Sequence, residues 1–182
     1  MRTPPGVTFL LGGARSGKSD AAMSLADAWR GPVAFVATAE LDDEATFTER
    51  IARHRAVRPP NWLTVEEPRH VARAITTIDD DRLVLVDCLS VWVSNLMADG
   101  LTEERATAVA DELCDAVCTR RTPTLLVSNE VGLGVHPSTP LGREYRDVLG
   151  RVNRRVAERA DRAYFVITGR LLPLTSPEDT FS

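Results

Sequence analysis

The sequence predicts an α/β fold in which helices flank a mostly parallel central sheet. Three observations predict it. Short apolar runs alternate with amphipathic stretches along the chain, the pattern of βαβ units. Two of the runs, Leu83–Val86 and Thr124–Ser128, read as strands buried on both faces. The first run, Val7–Leu11, enters a glycine-rich string, Gly12-Gly13-Ala14-Arg15-Ser16-Gly17-Lys18-Ser19, and a helical pattern opens directly behind it.

The elements follow in order. Val7–Leu11 is the first strand and Lys18–Trp29 the first helix, which Gly31-Pro32 breaks. Val33–Ala37 is the second strand. Asp42–Val57 is helical, with acidic residues in its first turn, and must end before Pro59-Pro60. Trp62–Val65 reads as a short strand and Pro68–Ile78 as a helix closed by the solvated turn Asp79-Asp80-Asp81. Leu83–Val86 ends at Asp87. Leu89–Met97 and Glu103–Thr119 are helical, and Thr124–Ser128 is a strand. A loop with Gly132 and Gly134 leads into a long helix near Leu141–Ala160. Tyr164–Thr168 is the last strand, and the tail after Pro173 reads as irregular. No repeat or internal linker is visible, so residues 1–182 are expected to form one nucleotide-binding domain.

Composition narrows the function. A chain of 182 residues can bury a full core. A net charge of −4 argues against a protein whose main task is to coat nucleic acid or an anionic membrane. No apolar run approaches the roughly 18 residues of a membrane span, and the N-terminus lacks a signal-peptide layout. A cytoplasmic protein is expected. Three cysteines, Cys88, Cys114 and Cys118, make neither a disulfide framework nor a zinc site, and read as structural. Lys18 is the only lysine among 22 basic residues, and it stands where a phosphate loop needs a compact, mobile charge.

The string G-x-x-x-x-G-K-S, placed between strand and helix, predicts a P-loop NTPase-like fold. Its backbone N–H groups and the helix N-terminus would face phosphates. Gly12 and Gly17 allow close backbone approach. Lys18 would reach the terminal phosphates, and Ser19 would offer a hydroxyl to Mg²⁺. Asp87, at the end of an apolar strand, suits the second metal-linked group; its alternative reading is an N-cap for the helix that follows. A guanine-reading N-K-x-D motif is impossible, because the one lysine is already used. A small-molecule kinase or nucleotidyl transferase fits better than a regulatory GTPase.

There are three histidines. Phe47, Ile51 and His54 share a helix face, and by spacing alone His54 reads as a residue at the core's edge. Arg50, Arg53, Arg55 and Arg58 around it read either as a solvated face or as a cradle for a triphosphate. His70 reads as a surface residue in a first helical turn. His136, before Pro137, reads as a loop tip, with a lid over an acceptor as the alternative.

Several segments together resemble one family. They are Gly12–Ser19, Ala37-Thr38-Ala39, Arg50-Ile51-Ala52-Arg53-His54 through Arg58-Pro59, and Trp62-Leu63-Thr64-Val65-Glu66. Val86-Asp87-Cys88-Leu89, Ser94-Asn95-Leu96, Val127-Ser128-Asn129-Glu130-Val131-Gly132 and Gly150-Arg151-Val152-Asn153 continue the series. The chain resembles the bifunctional adenosylcobinamide kinase/adenosylcobinamide-phosphate guanylyltransferases of cobalamin biosynthesis. The resemblance implies two reactions: phosphorylation of adenosylcobinamide by ATP or GTP, then transfer of GMP from GTP to adenosylcobinamide phosphate. It implies a GMP-histidine intermediate on His54, with Lys18 also catalytic. Implied nucleotide contacts are Gly12, Gly13, Ala14, Arg15, Ser16, Gly17, Lys18, Ser19, Thr38, Ala39, Glu40, Arg55, Ala56, Val57, Arg58, Glu66 and Asp87. Ser19 and Asp87 are the implied Mg²⁺ ligands. From the resemblance alone a homo-oligomer, a trimer, is expected. The C-terminal Gly169-Arg170-Leu171-Leu172-Pro173 departs from the family pattern, which puts the pairing of the last strand in question but not the nucleotide motifs. Two other readings compete: a P-loop kinase for another metabolite with a structural His54, and a nucleotide-dependent binding module.

Overall fold

A computed structural model describes residues 6–40 and 58–178. Among them are seven strands, β1 (Val7–Gly12), β2 (Val33–Ala37), β3 (Leu63–Glu66), β4 (Leu83–Asp87), β5 (Thr124–Asn129), β6 (Arg162–Ile167) and β7 (Arg170–Leu174). Five helices accompany them: α1 (Lys18–Asp27), α2 (Val71–Thr77), α3 (Leu89–Ala98), α4 (Glu103–Cys118) and α5 (Pro140–Arg159). The strands form one sheet in the order β3-β2-β4-β5-β1-β6-β7. All pairs are parallel except β6 with β7.

Alternation along the strands divides the core in two. Leu83 and Leu85 of β4, Leu125 and Val127 of β5, and Leu10 of β1 pack with Ala22 and Ala26 of α1. Val84, Val86, Leu126 and Phe9 point the other way, onto α2, α3, α4 and α5 through Ile75, Trp92, Leu113 and Val152. Both faces of the central strands are therefore covered, which is why their sequences carry continuous apolar runs.

The predicted helix Asp42–Val57 lies outside the described residues. Elsewhere α1 ends at Asp27, two residues early, the strand expected at Tyr164–Thr168 runs Arg162–Ile167, and two expectations change more. The helix expected from Pro68 begins at Val71, because the Glu67 carboxylate takes the N–H groups of Arg69 (2.9 Å) and His70 (2.8 Å) in a turn. The tail is not irregular from Pro173. Arg170–Leu174 returns antiparallel along β6, with Ile167 opposite Arg170. The two-residue turn between them, Thr168 and Gly169, has φ of 50° and 74°, the left-handed pair that matches strand twist in tight hairpins. Pro173 is tolerated because β7 is an edge strand and needs no N–H there.

Arg120, just past α4, fastens the far end of α2. Its Nη1 donates to the carbonyls of Ile75 (3.2 Å) and Ile78 (3.1 Å), and its Nη2 to those of Asp79 (2.8 Å) and Arg82 (2.9 Å). Asp79, Asp80 and Asp81 are exposed, as expected for a solvated turn. Arg120→Ala should cost about 2 kcal/mol, read as a Tm lowered by roughly 4–8 °C. Arg120→Lys should recover only part of this, since an ammonium cannot span four carbonyls. An unchanged melting curve for Arg120→Ala would show that the staple adds nothing.

Candidate functional site

The carboxyl ends of β1, β4 and β5 converge, as expected for the ligand edge of a parallel sheet. The phosphate loop runs from Gly12 to Ser19. A Cβ on Gly12 would lie 2.6 Å from the Val166 carbonyl of β6 and 2.7 Å from Ser16 Oγ, so only glycine fits. Gly17 holds φ of 86° as the residue before α1, and Arg15 is also left-handed, at 59°. The loop closes on itself through Ser16 N–H to Gly13 O (3.2 Å). Lys18 is 5% exposed, and its Nζ donates to Gly13 O at 3.2 Å, so the ammonium lies across the loop. Backbone N–H groups, a helix N-terminus and one cation together form an anion site.

Ser19 and Asp87 meet. Ser19 Oγ donates to Asp87 Oδ1 at 3.4 Å. The N-cap residue of α3 is Cys88, without a side-chain capping bond, so the capping alternative for Asp87 does not hold. A hydroxyl and a carboxylate at one phosphate loop are hard oxygen donors of the kind Mg²⁺ takes together with substrate phosphates. Among the described residues no cluster of three or more His, Cys, Asp or Glu side chains could hold a metal by itself.

Of the other expected contacts, Thr38, Ala39, Glu40 and Glu66 lie at or just past the carboxyl ends of β2 and β3, whereas Arg58 packs over Phe35 in the middle of β2. Thr38, at the end of β2, is fully buried. Its Oγ1 donates to Cys88 O (2.8 Å) and accepts from Cys88 N (2.9 Å), which ties β2 to the start of α3. Ala39 is half-buried and Glu40 exposed. The Glu40 carboxylate is paired with Arg69, which also donates to Asp99 Oδ2 at 2.5 Å. Glu66 ends β3 beside Ala37. Arg58 lays its guanidinium 3.8 Å from the centre of the Phe35 ring, and with Pro59, Pro60, Trp62 and Thr64 it lines a cavity of about 310 Å³. His54, Arg55, Ala56 and Val57 lie outside the described residues. His70 is exposed ahead of α2, and His136 is exposed with Nδ1 2.9 Å from Arg146 Nη1.

Sequence reasoning assigned no role to a polar network beside this edge. Asn129 Nδ2 donates to Ser90 Oγ (2.8 Å), Asn153 Nδ2 to Asn129 O (2.9 Å), and the Tyr145 hydroxyl to Ser90 O (3.0 Å). Burial, with Cys88 adding to it, pushes the Tyr145 phenol up to about 12, so it keeps its proton and remains a donor. Asn129 and Asn153 stand within the motifs quoted above, but nothing in their spacing says that they meet. A second contact also went unread. Gly169 N–H donates to Ser16 O at 2.8 Å, so the β6–β7 turn does bear on the phosphate loop.

The model of the family described as cobinamide kinase / cobinamide phosphate guanyltransferase matches residues 8–174. The chain belongs to that family. Membership makes it a P-loop transferase of cobalamin biosynthesis with kinase and guanylyltransferase activities. It is 39% identical over 167 residues to the bifunctional adenosylcobalamin biosynthesis protein CobP of Pseudomonas aeruginosa, covering 91% of this chain and 95% of that one. It is 38% identical over 176 residues to CobU, of the same description, from Salmonella typhimurium, covering 88% and 95%. Among solved structures, a Pyrococcus horikoshii protein superposes with a TM-score of 0.59 at 8% identity, covering 98% of this chain and 90% of that one. An ATPase of the type III secretion system of pathogenic bacteria gives 0.57 at 11%, covering 95% and 59%. At such identities the likeness speaks for the fold alone, that of P-loop NTPases. No helix among the described residues is long and apolar enough to cross a membrane.

Two substitutions test the site. Lys18→Ala should fold yet lose at least about a hundredfold in phosphoryl-transfer rate, because the transition-state charge loses its cation. Asp87→Asn should raise the Mg²⁺ concentration needed for half-maximal rate and lower the maximum. A wild-type Mg²⁺ titration in Asp87→Asn would remove Asp87 from the metal site.

Proposed function

We propose that this enzyme phosphorylates adenosylcobinamide with ATP or GTP and then transfers GMP from GTP to the resulting phosphate, giving adenosylcobinamide-GDP. The observation that carries this reading is the family match from residue 8 to 174, with the phosphate loop and Asp87 joined through Ser19. In the first step the acceptor's aminopropanol hydroxyl attacks the γ-phosphorus, the bond to the β-bridging oxygen breaks, and the nucleoside diphosphate leaves. Loop N–H groups and Lys18 hold the phosphates in line, and positioning with charge stabilisation does most of the work. Ser19 and Asp87 would hold Mg²⁺, which supplies charge neutralisation on the phosphate oxygens when bound.

The second step breaks the α–β phosphate bond. A His54 imidazole nitrogen attacks the α-phosphorus, and pyrophosphate leaves. A phosphate oxygen of the acceptor then displaces the imidazole. Neutral imidazole is a competent nucleophile near pH 7, and a covalent carrier divides one difficult transfer into two easier ones. The support for His54 is its place in the Arg50-Ile51-Ala52-Arg53-His54 motif. Thr38, Ala39, Glu40, Arg55–Arg58 and Glu66 are proposed to border the nucleotides. The reading places the enzyme in the cytoplasm, working as a homo-oligomer.

The two activities should separate at His54. His54→Ala should accumulate adenosylcobinamide phosphate from ATP and make little GDP-linked product. Wild type incubated with α-labelled GTP should retain label after denaturation, on a bond labile to acid and stable to base, with peptide mapping to His54. A labelled His54→Ala protein would dismiss the carrier assignment. Loss of both activities in a folded variant would instead make His54 a shared binding residue.

A further inference from the structure

The loop of residues 130–139 joins β5 to α5, and it is fastened at both ends, the first of them beside the phosphate loop. On one side Asn129 lies opposite Gly12, and Glu130 N–H donates to Gly12 O at 2.9 Å. On the other, Arg143 Nη1 holds the carbonyls of Pro137 (3.0 Å) and Ser138 (3.1 Å), and Thr139 Oγ1 caps α5 through Gly142 N–H. Both limbs also reach the same buried residue. Ser90 takes the Asn129 side chain on its hydroxyl and the Tyr145 hydroxyl on its carbonyl, and it stands three residues beyond Asp87.

Between these anchors the loop holds two aliphatic side chains out in solvent. Leu133 is 80% exposed and Val135 95%. Gly132 and Gly134 flank Leu133 and give it no side-chain cover. Leu141, in the first turn of α5, is 68% exposed as well. Single exposed aliphatics are ordinary on protein surfaces. Two of them on a short loop whose root is bonded to Gly12 and to Ser90, three residues beyond Asp87, are a different matter, because what they bind is tethered to the phosphate loop.

We propose that residues 130–139 are the acceptor loop, with Leu133 and Val135 packing against the corrin face of the substrate and Ser90 keeping the loop in register with Asp87. The proposal rests on the reading that the acceptor is adenosylcobinamide. A corrin macrocycle is a broad disc with aliphatic faces and an amide rim, and the phosphate loop, built of backbone N–H groups and one cation, offers those faces nothing. Apolar contact from an anchored loop supplies it, and the anchors fix where the appended hydroxyl arrives.

The test is the double variant Leu133→Ser/Val135→Ser. Both side chains are exposed, so the fold should persist, as circular dichroism and Tm would verify. The KM for adenosylcobinamide in the kinase reaction should rise ten- to a hundredfold, while the KM for ATP stays within twofold. Tyr145→Phe, which removes only the hydroxyl that grips Ser90, should lower kcat several-fold with little change in the acceptor KM. An unmoved acceptor KM in the double variant overturns the proposal. A matching rise in both KM values overturns it as well, as does a changed oligomeric state at constant acceptor KM, which would make the patch a contact between copies. Absence of any corrinoid turnover by the wild type sinks the functional reading and this loop with it, whereas wild-type turnover with an unmoved KM sinks the loop alone.

Discussion

The close approach of β1 to β6 sets the terms for the rest of the site. β1 is flanked by β5 and β6 in parallel, and its last residue must leave the sheet with the Val166 carbonyl already 2.6 Å from where a side chain would begin. Gly12 is the only residue type that can make that exit. Once the chain has turned there, its next residues have no strand to pair with until α1 begins at Lys18, and Ser16 N–H turns back to Gly13 O. A loop that leads straight into a helix N-terminus suits an anion, and the cation that would compensate it lies across the same loop.

The second consequence is one of topology. β5 lies between β1 and β4, so the phosphate loop and Asp87 come from strands that are not neighbours. They meet because α1 crosses the sheet face onto which Leu83 and Leu85 point, and Asp87 continues that alternation. Asn129, two residues past the partner of Asp87, emerges in the gap between them. The central strand thus separates the two elements by one strand width and provides the root of the loop that begins between them.

Much of this was legible in the residues. β2 matches its expected span, Val33–Ala37, and β4 and β5 lie within a residue of theirs, because a strand buried on both faces writes itself as an apolar run. The phosphate loop was legible because Gly12, Gly17 and Lys18 each answer a local demand. What stayed hidden depends on distant partners. β7 was missed because Thr168 takes a left-handed conformation that its type disfavours, and Pro173 reads as a strand breaker until the strand is known to be an edge. The pairing of the Glu40 carboxylate with Arg69, a residue far along the chain, likewise has no local signal. The meeting of Ser90, Asn129, Tyr145 and Asn153 joins three separate elements, and no periodicity encodes it.

The contact between Gly169 and Ser16 ties the beginning of the fold to a much later segment. A ribosome makes residues 12–19 early and the β6–β7 turn late. A nascent chain halted before β6 carries the whole phosphate-binding motif without that brace, and β1 lacks one of its two neighbours. Nucleotide can stabilise only the state it binds. Whatever anion the loop takes is therefore linked to the docking of the C-terminal hairpin, since both engage residues 12–19.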